Sequence, residues 1–182
     1  MHAAQKDLTF PFGSVPGGSM KTGPIRRYRL TRRGLQPTHA ADVFDGTIQK
    51  SRVWLNEVMN ELDWHDQPHK AYLALRSVLH ALRDRLTREE AVQLGAQLPM
   101  LIRGLYYEGW TLRGKPHKER HEEVFYDHIK KAFKQDASVN AAQVVRAVFR
   151  VLVRHTSAGE IEDVKHILPK ALQDLWPAAM RQ

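Results

Sequence analysis

The chain has no cysteine. That excludes disulfides and thiolate metal sites and predicts a reducing compartment. No apolar run approaches the roughly 18 residues that span a bilayer, so the sequence predicts a soluble, cytoplasmic protein without a membrane partner. Residues 1–43 lack the apolar stretch of a secretory signal. Regularly spaced, turn-punctuated strands are missing, which leaves helices to build the core. There is no HExxH motif, no Gly-rich phosphate loop after a strand and no nucleophile elbow. From these absences no catalytic residue, no enzyme activity and no cofactor is expected.

What is present is unevenly distributed. At 182 residues a single domain is the default. The formal net charge is +8. Seven of the 28 basic and two of the 20 acidic side chains lie in residues 1–43, which leaves 21 and 18 for the remainder. The arm therefore carries +5 and the body only +3, too little for an electrostatic case for nucleic acid from the body alone. The arm also holds four of the nine prolines and five of the eleven glycines, without a sustained period, and reads as disordered.

Beyond the arm, apolar residues recur at three and four. Phe44, Ile48, Leu55, Val58, Met59 and Leu62 predict a first helix that Trp54 flanks. Asp66 reads as the cap of a second helix, with Pro68 in its first turn and Leu75, Val78, Leu79 and Leu82 on its core face. Thr87-Arg-Glu-Glu90 reads as a capping box opening a third helix, in which the threonine takes a backbone N–H and Glu90 reaches back. Pro99 breaks that helix and opens a fourth, which presents Leu101, Ile102 and Leu105. A fifth helix is predicted over Lys118–Lys134, with Val124, Phe125 and Ile129 apolar. Asn140 caps a sixth, Ser157-Ala-Gly-Glu160 opens a seventh, and Pro169 restarts a short eighth.

The second half echoes the first. Arg76–Tyr106 aligns without gaps on Arg146–Trp176, with identity at Arg76/Arg146, Val78/Val148, Leu82/Leu152, Glu90/Glu160, Leu98/Leu168, Pro99/Pro169 and Leu105/Leu175. The expected architecture is all-α: about eight helices as two internally duplicated four-helix repeats packed into one bundle. A disordered basic arm (1–43) precedes repeat one (44–110), a linker loop (111–117) and repeat two (118–177).

Candidate sites follow from charge and aromatic placement. Arg26, Arg27, Arg29, Arg32 and Arg33 form a basic cluster around Tyr28, suited to phosphate. Arg146, Arg150 and Arg154 form a stripe at four-residue spacing, either a solvated face or a track for nucleic acid or another anion. Arg76 with Glu90, and Arg146 with Glu160, are predicted structural clamps between the second and third helix of each half. Tyr106, Tyr107 and Trp110 form either an aromatic plug between the halves or a partner-binding patch. His117 and His121 are a weak metal pair; zinc needs three or four ligands, so no metal is expected.

With those strings in view, the chain resembles a bacterial family of uncharacterised domains, domain-of-unknown-function family 2267. The resemblance rests on AYLALRSVLHALRDRL (71–86), AQLPMLIRGLYYEGW (96–110), KERHEEVF (118–125), RAVFRVLVRH (146–155) and GEIEDVKHILPKALQDLWP (159–177). It implies an all-helical domain and carries over no catalytic residue. The function expected is a non-enzymatic interaction or regulatory module with a protein partner. The alternatives are an accessory nucleic-acid binder, using the basic arm and the arginine stripe, and a metal or small-anion binder.

Overall fold

The computed structural model describes residues 39–113, 116 and 121–177. Eight helices occur among them, and no strand: α1 His39–Leu62, α2 Pro68–Arg83, α3 Arg88–Gln97, α4 Met100–Tyr107, α5 Glu122–Ala132, α6 Ala141–His155, α7 Ala158–Ile167 and α8 Lys170–Gln173. The all-α expectation holds. Helix α1 starts at His39, inside the stretch read as arm; residues 1–38 lie outside the described residues. Helix α5 starts at Glu122 with His121 as its cap, rather than at Lys118.

Helices α2 and α6 form the centre. Helix α2 packs on α1, α4, α5 and α6, and α6 packs on α1, α2 and α5. Their core faces are buried at matching positions: Ala71 and Ala141, Leu75 and Val145, Val78 and Val148, Leu79 and Phe149, Leu82 and Leu152. The short helices α3 and α7 pack against each other, burying Ala91 and Leu94 from one and Ile161 and Val164 from the other. No short helix buries enough apolar surface to be stable alone. Helix α4 packs on α2, α3 packs on α4 and α7, and α8 packs on α7, so each short helix is held by its neighbours.

Helix boundaries follow local chemistry. Thr87 accepts a hydrogen bond from Glu90 N at 3.2 Å, Asn140 from Gln143 N at 3.1 Å and Ser157 from Glu160 N at 3.4 Å, each satisfying a donor of the first turn. Leu98 and Pro99 are both extended, with ψ of 144° and 149°, so α3 stops and α4 begins anew. Leu168 and Pro169 do the same between α7 and α8. Each proline stands at the cap, one position before the helix. The α1–α2 turn differs from expectation. Gln67 is the residue before α2, and Asp66 adopts a left-handed φ of 53°, as Asp63 does at 54°. A carboxylate side chain tolerates that region better than most.

Several residues read as core are surface. Phe44, Leu101 and Val124 are exposed, whereas Trp54, expected to flank, is buried. Phe44 lies near the start of α1, where the helix runs on from the body of the bundle. Leu101 and Val124 lie in the first turns of α4 and α5, with apolar neighbours that take the core face instead.

Candidate functional site

The arginine stripe on α6 is tied to α1. Arg150 Nε donates to Glu61 Oε2 at 2.5 Å. Arg154 donates to Glu61 Oε1 through one terminal nitrogen and to Glu57 Oε2 at 3.2 Å through the other. His155 Nε2 meets Glu57 Oε1 at 2.8 Å, and its imidazole stacks on Trp54 with ring centroids 5.0 Å apart. Burial works against the Glu61 carboxylate, but hydrogen bonds and charge from Arg154 and Arg150 outweigh it and hold the carboxyl below its usual range. Two of the three stripe arginines are therefore engaged in joining helices. On α1, Glu57 and Glu61 stand one turn apart, the spacing of Arg150 and Arg154, but nothing local brings the two helices together.

The predicted Arg–Glu clamps do not form. Arg76 Nε donates to Glu108 Oε2 at 2.6 Å, and Arg146 donates to the Asp174 carbonyl at 3.3 Å. Glu108 and Asp174 are the C-terminal caps of α4 and α8. Each arginine thus reaches the end of the fourth helix of its own half, where the negative end of the helix dipole favours a cation.

The glutamates released from the clamps share an unexpected environment. Glu90 and Glu160 are the third residues of α3 and α7, which pack together. Among the described residues neither returns a bond to its cap, so only half of each capping box forms. Glu90 Oε2 and Glu160 Oε1 are shielded from water and make no hydrogen bond. Burial pushes the Glu160 carboxyl above its usual range, and the charges of Glu90 and Asp163 add to the shift.

The aromatic string is mostly structural. Tyr106 is fully buried, and its hydroxyl donates to Ala91 O at 3.0 Å, so it offers no exposed patch. Tyr107 and Trp110 are half-buried, with ring centroids 5.5 Å apart. Sequence reasoning passed over Arg83, which is 4% exposed. Its guanidinium donates to the carbonyls of Tyr106 and Glu108, closing the end of α4, while Nε bonds Asp84 Oδ1 at 3.0 Å. His80 Nε2 donates to Leu105 O at 2.7 Å; burial, with nearby Arg83 and Arg76, outweighs that bond and moves the imidazole below its usual range.

Among the described residues a large cleft, of about 690 Å³, lies between the first half of α1 and the α3–α4 junction. Its α1 wall is Gly46, Thr47, Lys50, Val53 and Trp54, and its opposite wall runs from Ala96 to Met100 with Arg103. His155 closes one end. Arg103 donates to Ala96 O at 2.9 Å and Leu98 O at 3.0 Å, which covers the end of α3. Gln173 makes the matching bond to Leu168 O at 2.8 Å at the end of α7. Among the described residues no acidic side chain lines the cleft. Sequence reading missed it, since Lys50 and Trp54 on α1 and Arg103 on α4 come together only through packing.

Two groups of sequence candidates stand apart from this geometry. Arg26, Arg27, Arg29, Arg32, Arg33 and His117 lie outside the described residues. His121 caps α5, and among the described residues no cluster of three His, Asp or Glu side chains could hold a metal. No helix among them is long and apolar enough to cross a membrane. A comparison with curated proteins finds no match. Residues 51–175, about two thirds of the chain, match a family described as an uncharacterized conserved protein. That span runs from the middle of α1 to the residues just after α8 and takes in Glu57, Glu61, the α6 arginines and the α3–α4 junction, so the chain belongs to the DUF2267 family.

Proposed function

We propose that the protein is a non-enzymatic interaction module that docks a protein partner on its helical surface. The observation behind this reading is apolar surface left uncovered beside the cleft. On α1, Val43 is 74% and Val53 45% exposed; across the cleft, Met100 is 54% exposed. Residues 43, 46, 47, 50, 53 and 54 recur at three and four, so they form one stripe of α1. Monomeric proteins rarely leave a large contiguous apolar patch uncovered, and such patches mark interaction sites.

The nucleic-acid alternative draws less support, because Arg150 and Arg154 are engaged with Glu57 and Glu61. The test places a photo-reactive residue at Val53, Val92 or Val124, three exposed positions on separate helices, and irradiates cells producing the full chain. A discrete protein adduct from at least one position is expected. No adduct from any of them overturns the reading.

A further inference from the structure

We propose that the cleft between α1 and the α3–α4 junction docks an acidic, apolar segment of a partner protein, with carboxylates set beside bulky aliphatic or aromatic side chains. The inference rests on the interaction-module reading and narrows it to one surface and one partner chemistry. Charge complementarity carries it. Lys50 and Arg103 stand on opposite walls, and among the described residues no carboxylate lines the space between them. Lys50 has no acid one turn away on either side of α1: residues 46, 47, 53 and 54 are Gly, Thr, Val and Trp. No carboxylate of the described residues pairs with Lys50 or Arg103. Each charge is left facing solvent over an apolar surface, where an incoming carboxylate meets attraction from both walls.

The rest of the cleft decides which anion fits. Val53 and Met100 are exposed apolar side chains on the two walls, so a wholly polar ligand would leave that surface wet. Single-stranded nucleic acid binds by stacking bases on aromatic faces. Among the described residues the aromatic rings lining the cleft are Trp54, 2% exposed, and the His155 imidazole stacked on it. His155 is already engaged by Glu57 at 2.8 Å. Val43, one turn before Gly46 on the same stripe of α1, is exposed as well, so apolar surface is also found beyond the cleft lining. An extended or helical peptide covers both the cleft and the stripe.

The structure also supplies a clean variant. Gln173 makes the carbonyl bond at the end of α7 that Arg103 makes at the end of α3. Arg103→Gln therefore removes charge while keeping the bond. The experiment selects random linear peptides on the immobilised full chain, with Met100→Arg protein as the counter-selection. Enriched peptides should carry Asp or Glu next to Leu, Phe or Trp. Their affinity should fall about tenfold in Met100→Arg, and severalfold in Lys50→Glu and Arg103→Gln. Added salt should weaken binding to the wild type more than to Lys50→Glu. Circular dichroism melts matching wild type establish that all three variants fold.

Several results would overturn the inference. They are no enrichment over Met100→Arg protein, peptides that are neutral or basic, and a nucleic-acid shift or a homodimer that Lys50→Glu or Met100→Arg abolishes. Photo-adducts from Val92 or Val124 but not from Val53 would refute this surface while leaving the module reading intact. No adduct from any position would refute both.

Discussion

Glu160→Gln should stabilise the protein at neutral pH and have little effect in acid. Glu160 is 9% exposed, its Oε1 has no hydrogen bond, and Glu90 acts on it from α3. Two effects oppose each other. A carboxylate in the first turn of a helix gains about 0.3–1 kcal/mol from the dipole. A shielded polar atom left without a partner costs about 1–3 kcal/mol, more when charged. The upward shift of the Glu160 carboxyl shows that burial and the facing carboxylates prevail. Glutamine keeps the backbone N–H that Ser157 accepts and removes the charge, so the net gain should be about 1 kcal/mol.

The sign with pH follows from linkage. The folded-state value of Glu160 lies above the unfolded reference of 4.5. The stability it contributes is complete below that reference and is lost as pH rises through the folded-state value. Thermal midpoints of wild type and Glu160→Gln should therefore nearly coincide at acid pH and separate above it, by about 3–5 °C for a domain of this size. Glu90→Gln relieves the same repulsion, so the double variant should gain less than the sum of the two single ones. A Glu160→Gln protein that is less stable at every pH, or separated from wild type equally in acid and at neutral pH, would refute the facing-carboxylate account.

Three further perturbations test the packing. Arg154→Ala and Glu61→Ala should show a coupling of about 0.5–1.5 kcal/mol in a double-mutant cycle by urea denaturation, because the pair is partly exposed but belongs to a five-residue network; additive losses would show that this ion pair does not help to hold α1 on α6. In Gly95→Ala the new Cβ would stand 2.1 Å from Tyr107 Oη and 2.7 Å from its Cζ, so the ring must leave its bond to Ala91 O. The loss of that bond and of ring contacts should exceed the roughly 1 kcal/mol gain in helix propensity, and the same substitution in a Tyr107→Ala background should instead stabilise. Arg83→Met should cost about 3 kcal/mol in chemical denaturation, since it leaves the Tyr106 and Glu108 carbonyls without their guanidinium donor and removes a partner of Asp84; a loss below about 0.5 kcal/mol, in the range of a surface substitution, would show that other donors replace it.

The sequence by itself determined the elements. The three- and four-residue spacing of Val78, Leu79 and Leu82, and of Val148, Phe149 and Leu152, is local information, and these residues are the buried faces of α2 and α6. Thr87, Asn140 and Ser157 act within their own first turns. Pro99 and Pro169 act on the backbone beside them, so their breaks were also readable. The charged pairs were decided only by the tertiary structure. Arg76 and Arg146 had several acids within reach in the sequence, yet Arg76 meets the Glu108 carboxylate and Arg146 the Asp174 carbonyl, partners set by how the short helices pack. Arg150 and Arg154 find acids some ninety residues earlier, a contact that no local spacing encodes. The cleft belongs to the same class. Its lining is contributed by α1, α6 and the α3–α4 junction, so its charge and shape exist only once those elements are packed. Burial likewise depends on what lies opposite. The same apolar character puts Trp54 in the core and Phe44, ten residues earlier on one helix, in solvent, because the bundle covers only the later turns of α1.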